Sequence, residues 1–453
     1  MTKRLEHDGF GQIGIPEDRK WGAQTQRSLQ NFSIGNEMMP LELIHAYARV
    51  KKEAAETNAE LGLLEPQKAD AIASVCDAII KGHWDNEFPL SVWQTGSGTQ
   101  TNMNVNEVIA HLAKGESGLD IHPNDDVNKG QSTNDTFPTS MHIASVRLLT
   151  DHLLPVLGEL EHTLEELETR YKDTIKIGRT HLQDATPVTF GQEVSGWKEM
   201  MVQNAEMIEA ALIPLKRLPL GGTAVGTGLN THPDFAEKTI RRISQASGIE
   251  FKENPNKFHG LASKDAFVFA HGALKALAAN AMKMANDVRW LSSGPRSGLG
   301  EITIPANEAG SSIMPGKVNP TQAEALTMVC VQVMGNDTAI GVAASQGNFE
   351  LNVYMPVIAH NMIQSITLLG DSLALFNSKC LKGIQVVEEE MSELVDQSLM
   401  LVTALSPKIG YDKASQIAKK AHEDQSTLRD AAVELGILTE EEFDQYIDPA
   451  DMV

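Results

Sequence analysis

Cysteine is scarce in this chain, and its three copies, Cys76, Cys330 and Cys380, lie far apart. No CxxC pair or Cys/His zinc spacing occurs, and an iron–sulfur cluster ordinarily needs more thiolates. Free thiols in a reducing compartment are the expectation. Aromatic residues make up only 5% while methionine numbers 18, so the core must be aliphatic, Ala or Met. That mixture suits packed helices better than sheets, which favour aromatic and β-branched residues. Positive charge is also short. A net charge of -22 repels polyanions and gives nucleic acid and anionic membranes low priority as partners. The N-terminal Met1-Thr-Lys-Arg-Leu-Glu-His-Asp8 has neither an apolar core nor an Arg-rich amphipathic pattern of a targeting segment. No apolar run approaches membrane-spanning length, and the expected location is the cytoplasm.

At 453 residues the chain exceeds what one hydrophobic core usually supports. Residues 1–131 mix short helical patterns with loops and leave room for a β-hairpin near the N-terminus. Residues 132–354 change character. From Leu149, the apolar positions Leu153, Val156, Leu157, Leu160, Leu164 and Leu167 recur mostly three or four apart, with Pro155 expected to kink or adjust the helix. Phe267, Ala270, Leu274, Leu277, Ala281, Met284, Val288 and Leu291 form an unbroken coiled-coil-like seam. Its other faces are Ala-rich and poorly charged, so such a helix needs neighbours on several sides, other subunits among them. Helical patterns also run over 191–213 and 321–344, and the long-helix bundle ends near Met355. Residues 355–453 read as a small acidic helical domain. Glu388-Glu-Glu390 and Glu440-Glu-Glu442 there read as solvated helix faces, not metal sites. The fold class is all-α: a central bundle of long helices between smaller N- and C-terminal domains.

Polar segments rich in Gly, Ser, Thr and Asn adjoin these helices: 95–104, 122–135, 178–187 and 310–320. Each taken alone fits a turn or an N-cap. Together, their hydroxyls, amides and free backbone N–H groups also suit a carboxylate ligand. Gly310 to Lys317 is not a phosphate-binding loop, because the spacing between its glycines is too long and Val318 follows the lysine. The stretch 221–228 lacks the dinucleotide-binding glycine spacing and reads as a packing turn.

Gly310-Ser-Ser-Ile-Met-Pro-Gly-Lys-Val-Asn-Pro320 resembles the signature of the fumarase/aspartase superfamily, whose members break a C–O or C–N bond and release fumarate or an analogue. The pattern is specific for the superfamily and poor at choosing among its members. Phe10-Gly-Gln-Ile-Gly-Ile-Pro16, Trp21–Phe32, Trp93–Asn102 and Leu218–Asn230 are similar to the class II fumarases. His181, in Gly178-Arg-Thr-His181, discriminates further, because aspartases typically carry Gln there. The resemblance spans essentially the whole chain.

The resemblance implies a lyase of the tricarboxylic acid cycle that interconverts fumarate and (S)-malate without metal or organic cofactor. It gives Ser311 the role of catalytic base, His181 that of the second acid/base with Glu324 as its charge partner, and Lys317 and Asn319 hold on an aci-carboxylate intermediate. It assigns substrate contacts to Ser97, Gly98, Thr99, Ser132, Thr133, Asn134, Thr180, Ser312 and Val318 as well. His122-Pro-Asn-Asp125 (His122, Pro123, Asn124, Asp125) resembles a second anion site, although a helix N-terminal turn reads nearly as well there. The implied assembly is a homotetramer whose active sites each draw on three subunits, with a small dicarboxylate as partner and neither nucleic acid nor membrane. An ammonia-lyase such as aspartase and a non-enzymatic helical protein of the same fold are the competing expectations. His181 speaks against the first, and the intact set Ser311, Lys317, Asn319, His181 and Glu324 against the second.

Overall fold

The computed structural model describes residues 2–453. The chain opens with the expected hairpin: β1 (Lys3–Asp8) runs antiparallel to β2 (Gly11–Pro16), with Lys3 opposite Pro16 and Asp8 opposite Gly11. Helices α1 (Ala23–Asn31), α2 (Leu41–Glu60), α3 (Pro66–Ile80) and α4 (Thr99–Ser117) follow. Helix α5 (Thr133–Leu148) begins at a capping box in which Ser132 Oγ accepts from the Asn134 N–H and Asp135 accepts from the Ser132 N–H. One π turn over Leu149–Leu153 separates α5 from α6 (Leu154–Arg170). Pro155 has no N–H to give, and its ring would strike the carbonyl four residues back, so the chain widens there and continues as helix. The leucine row survives: Leu149, Leu153, Leu157, Leu160, Leu164 and Leu167 are all buried.

The chain continues through hairpin β3 (Ile175–Thr180) and β4 (Gln183–Thr189), α7 (Phe190–Leu215), and β5 (Arg217–Leu218), which pairs with β6 (Lys252–Glu253) across α8 (Phe235–Ser247). Next come α9 (Lys257–Ala262), α10 (Asp265–Leu291), β7 (Ile302–Thr303), α11 (Thr321–Ala344) and α12 (Met355–Lys379). Then β8 (Gln385–Val386) pairs with β7, and α13 (Glu388–Gln397) and further short helices close the chain. Segment 178–187 is thus a hairpin and not a loop before a helix. A further long helix runs over Met355–Lys379, at the start of the stretch expected to form a small helical domain.

The fold is all-α in its bulk, with long helices forming the bundle. Every position of the predicted α10 seam is buried, from Phe267 to Leu291. Helix α11 runs over the predicted 321–344 and differs from expectation only in how apolar it is. It carries only Glu324 and Asp337 as charges, and its mean hydropathy of 1.2 makes it long and apolar enough by composition to cross a membrane. The uncharged Thr, Gln and Asn among its residues break up any visible apolar run, yet lower the average little. The three cysteines are buried free thiols.

Contacts group the chain into two units. One comprises Met1–Pro155, Asn204–Ala278 and Val331–Gly370; the other Val156–Gln203, Ala279–Cys330 and Asp371–Val453. Both are discontinuous because α7, α10, α11 and α12 each belong partly to one and partly to the other. In the first, α2 packs on α3, α5 and α8. Its part of the bundle is cross-tied by His271 of α10, whose ring bonds Asp337 of α11 at 3.1 Å and Ser365 of α12 at 2.8 Å. In the second, Trp197 of α7 donates to Asp287 of α10 at 3.0 Å. A separate cluster of Val395, Leu405, Ile417, Leu428 and Phe443 packs with Ile177 of β3, so the C-terminal helices seat the β3–β4 hairpin. Glu388–Glu390 and Glu440–Glu442 are exposed and occupy the first turns of their helices, where the helix dipole favours negative charge.

Candidate active site

In the first unit, two helix N-termini gather the polar residues of segments 95–104 and 122–135. Gly98 precedes α4 with φ 79°, and a Cβ there would lie 2.2 Å from Phe137 Cδ2, so only glycine lets α4 start against α5. Ser97 Oγ and Thr99 Oγ1 are 3.0 Å apart. Thr133 Oγ1 accepts from Asn102 Nδ2 at 2.9 Å, and Asn134 Nδ2 donates to the carbonyl of Ala224 at 2.8 Å. Asp135, buried, accepts from the N–H groups of Gly221 and Thr223 at 2.9 and 3.0 Å, so the 221–228 turn is pinned to the start of α5. Burial raises the Asp135 pKa, against these backbone hydrogen bonds.

Sequence reasoning missed the buried groups beneath this cluster. Lys51 of α2 donates to Asn128 Oδ1 at 2.8 Å and Gln131 Oε1 at 3.0 Å, and Asn128 also accepts from Asn102 and Asn106. Burial pulls the Lys51 pKa down to about 7. Nothing in the helical pattern of α2 distinguishes Lys51 from its exposed-face neighbours; only its polar partners, two of them inside segment 122–135, do so.

His122 Nδ1 accepts from the N–H groups of Asn124 and Asp125 at 3.3 and 3.1 Å, while its own N–H donates to Asp126, which pairs with Lys68 at 3.0 Å. The backbone donors at this turn are thus taken by the imidazole. A cavity of about 570 Å³ beside it is lined by Lys20, His111, Lys114 and His122, and also by the carboxylates of Glu6, Asp8, Glu107 and Asp120.

In the second unit, Thr180 and His181 stand at the tip of the β3–β4 hairpin. His181 and Leu182 form the two-residue turn with φ 57° and 59°, the doubly left-handed geometry that matches strand twist. Without glycine, each residue costs on the order of 1 kcal/mol in that conformation. The imidazole is exposed at this turn.

The 310–320 segment is a mostly exposed loop between β7 and α11. Its stems approach so closely that a Cβ on Gly310 would sit 2.1 Å from the carbonyl oxygen of Lys317, and Asn319 Nδ2 donates to the Gly310 carbonyl. Ser311 Oγ accepts from the N–H groups of Ile313 and Met314 at 3.3 and 3.0 Å. Ser312, Lys317 and Val318 are exposed on the same loop, and Glu324 is exposed in the first turn of α11. Within this unit no hydrogen bond joins His181, Ser311, Lys317 and Glu324 to one another among the described residues. No group of three or more His, Cys, Asp or Glu side chains capable of holding a metal is found among the described residues.

The arrangement offers a hydroxyl under two N–H donors, an exposed cation and an amide bonded to the Gly310 carbonyl on the same loop, and an imidazole on a strained turn. The lyase family matches residues 11–335, and the family described as Fumarase C C-terminus matches residues 401–453. The class II fumarate hydratase of Oceanobacillus iheyensis is 58% identical over 100% of this chain and 99% of its own length. That of Bacillus subtilis is 56% identical over the same shares. A crystal structure of recombinant class II fumarase from Schistosoma mansoni superposes with a TM-score of 0.97 at 43% identity, covering 100% of this chain and 99% of that one. With both its length and its fold matched in this way, the chain belongs to the lyase family and, within it, to the class II fumarate hydratases.

Proposed function

We propose that the protein catalyses the reversible hydration of fumarate to (S)-malate. The observation that carries this reading is the placement of Ser311 Oγ under the N–H groups of Ile313 and Met314. Hydrogen bonds donated to an oxygen favour its anionic form, which is what a serine needs to act as a base. Ser311 takes a proton from C3 of malate, and the electrons left behind spread into the adjacent carboxylate. The resulting aci-carboxylate carries extra negative charge, which Lys317, Asn319 and the loop's backbone N–H groups hold. Losing one such donor typically costs about 10²–10³ in rate. Proton donation by His181 then lets the C2 hydroxyl depart as water, with Glu324 as the imidazole's charge partner. Ser97, Gly98, Thr99, Ser132, Thr133, Asn134, Thr180, Ser312 and Val318 position the substrate. His122–Asp125 remains the second anion site in this reading. Lys20 and Lys114 at the cavity beside it support that role, while its carboxylates and the use of the N–H groups by His122 speak for a plain turn.

The working form in this reading is a cytoplasmic homotetramer, each active site built from three subunits. Two features support it. His181 and Glu324 do not bond one another within the chain, and long helices expose large apolar side chains such as Met328 (68%), Val331 (62%) and Phe269 (53%). Hydration in D₂O tests the chemistry: fumarate should give malate carrying one deuterium at C3. Formation of aspartate from fumarate and ammonium, with no malate, would replace this reading by an ammonia-lyase.

A further inference from the structure

The tip of the β3–β4 hairpin is poorly held by packing. Between the hairpin and helices α7 and α10 lies a cavity of about 610 Å³, bordered on the hairpin side by Gly178, Arg179, Leu182 and Val188. Charge bridges what packing leaves open. Arg179 Nη1 donates to Glu301 Oε2 at 2.7 Å, and the Glu301 side chain is wholly buried. Lys176 Nζ, itself 2% exposed, lies 3.0 Å from Glu193 and 3.8 Å from Glu301. Two cations and two carboxylates thus form a neutral group, which limits the cost of burying it. Glu301 is also fixed through its backbone: its carbonyl accepts from the Val387 N–H at 2.9 Å, immediately before Ile302 and Thr303 pair with β8. Oε1 of Glu301 is buried without a hydrogen-bond partner among the described residues, leaving an acceptor for a second guanidinium N–H.

We propose that the Arg179–Glu301 ion pair is a positioning clamp for the active site. Arg179 adjoins Thr180 and His181 at the tip, while Glu301 immediately precedes β7, the strand that leads towards the loop bearing Ser311. The pair ties the hairpin to a fixed point of the second unit and so sets where the imidazole stands. Neither residue is among those that hold substrate in the proposed mechanism. A misplacement of about 1 Å in a reacting group can cost about 10²-fold in rate, so a loosened clamp is read in turnover. The inference rests on the reading of His181 as an acid/base.

The test is a double-mutant cycle between Glu301→Gln and His181→Asn, measured at a temperature where circular dichroism and light scattering show wild-type fold and mass. Glu301→Gln alone should lower kcat by about 10- to 100-fold with KM changed less than about threefold. In the His181→Asn background the same change should cost less than about threefold, because the imidazole it positions is gone. Multiplicative losses, or wild-type kcat in Glu301→Gln, overturn the clamp alone. An unreduced His181→Asn enzyme, or a wild type that does not interconvert malate and fumarate, overturns the reading beneath it and the clamp together. Should Glu301→Gln not fold, Arg179→Lys takes its place with the same outcomes, since Lys keeps the charge and loses the planar fork.

Discussion

The mechanism proposed above divides the chemistry between the Ser311 hydroxyl on a loop and the His181 imidazole on a hairpin, and each carries a separable prediction. Ser311→Ala should lower kcat by at least about 10³-fold, near the upper range for a positioned acid/base, and leave the oligomer intact by light scattering. Turnover within about tenfold of wild type would remove Ser311 as the base. His181→Asn should lower kcat by about 10²–10⁴-fold and remove one limb of the pH–rate profile. An unaltered profile would contradict its role. The residue types of both were legible in the sequence, because the segments around them are specific. Their geometry was not. No periodicity marks His181 and Leu182 as a left-handed turn, and the N–H groups above Ser311 Oγ belong to the backbone. Lys51 and Glu301 were invisible for a related reason: a buried charge is defined by distant partners, here Asn128 and Gln131, and Arg179.

At the scale of elements, the long helices were read well where one apolar stripe repeats without a break. The α10 seam from Phe267 to Leu291 is buried at every predicted position. Leu274→Ala, wholly buried there, should destabilise the protein by about 2–5 kcal/mol in denaturant unfolding, and a loss under about 1 kcal/mol would mean the seam is not packed. Reading failed where the pattern is broken. Segment 178–187 hides its hairpin because the bulge between Ile177 and Arg179 disrupts strand alternation. Helix α11 was read at its full extent, 321–344, although it spreads its apolar residues around the axis: Met328, Val331 and Val342 stay exposed while Leu326, Cys330 and Val333 are buried. Helix α12 carries a row of its own, Met355, Ile358, Met362, Ile366, Leu369, Leu373 and Phe376, three or four apart and all buried, which the reading of the sequence passed over.

For the whole molecule, stability and activity should depend on pH through different groups. His142 is buried, with its Nδ1 2.7 Å from the carbonyl oxygen of Leu215 and its ring against Phe267, and burial pulls its pKa down to about 4. Its folded value lies below its ordinary 6.5, so the unfolded chain binds the extra proton first as pH falls. Stability from keeping this ring neutral is therefore present above pH 6.5 and lost progressively towards pH 4, on the order of 3 kcal/mol in total. A His142→Gln variant should show a flatter fall in unfolding free energy across that window; an unchanged slope would contradict the assignment. The net charge of -22 sets the other global constraint, since a dianionic substrate of such a chain must find positive and N–H-rich surroundings locally. The most direct measurement follows fumarate's ultraviolet absorbance with purified, chelator-treated protein. Malate should produce a rising signal, and fumarate a falling one, at a rate unaffected by the chelator; no malate-dependent signal would contradict the assigned activity, and loss of signal on chelation would contradict a chemistry carried by Ser311, His181 and Lys317 alone.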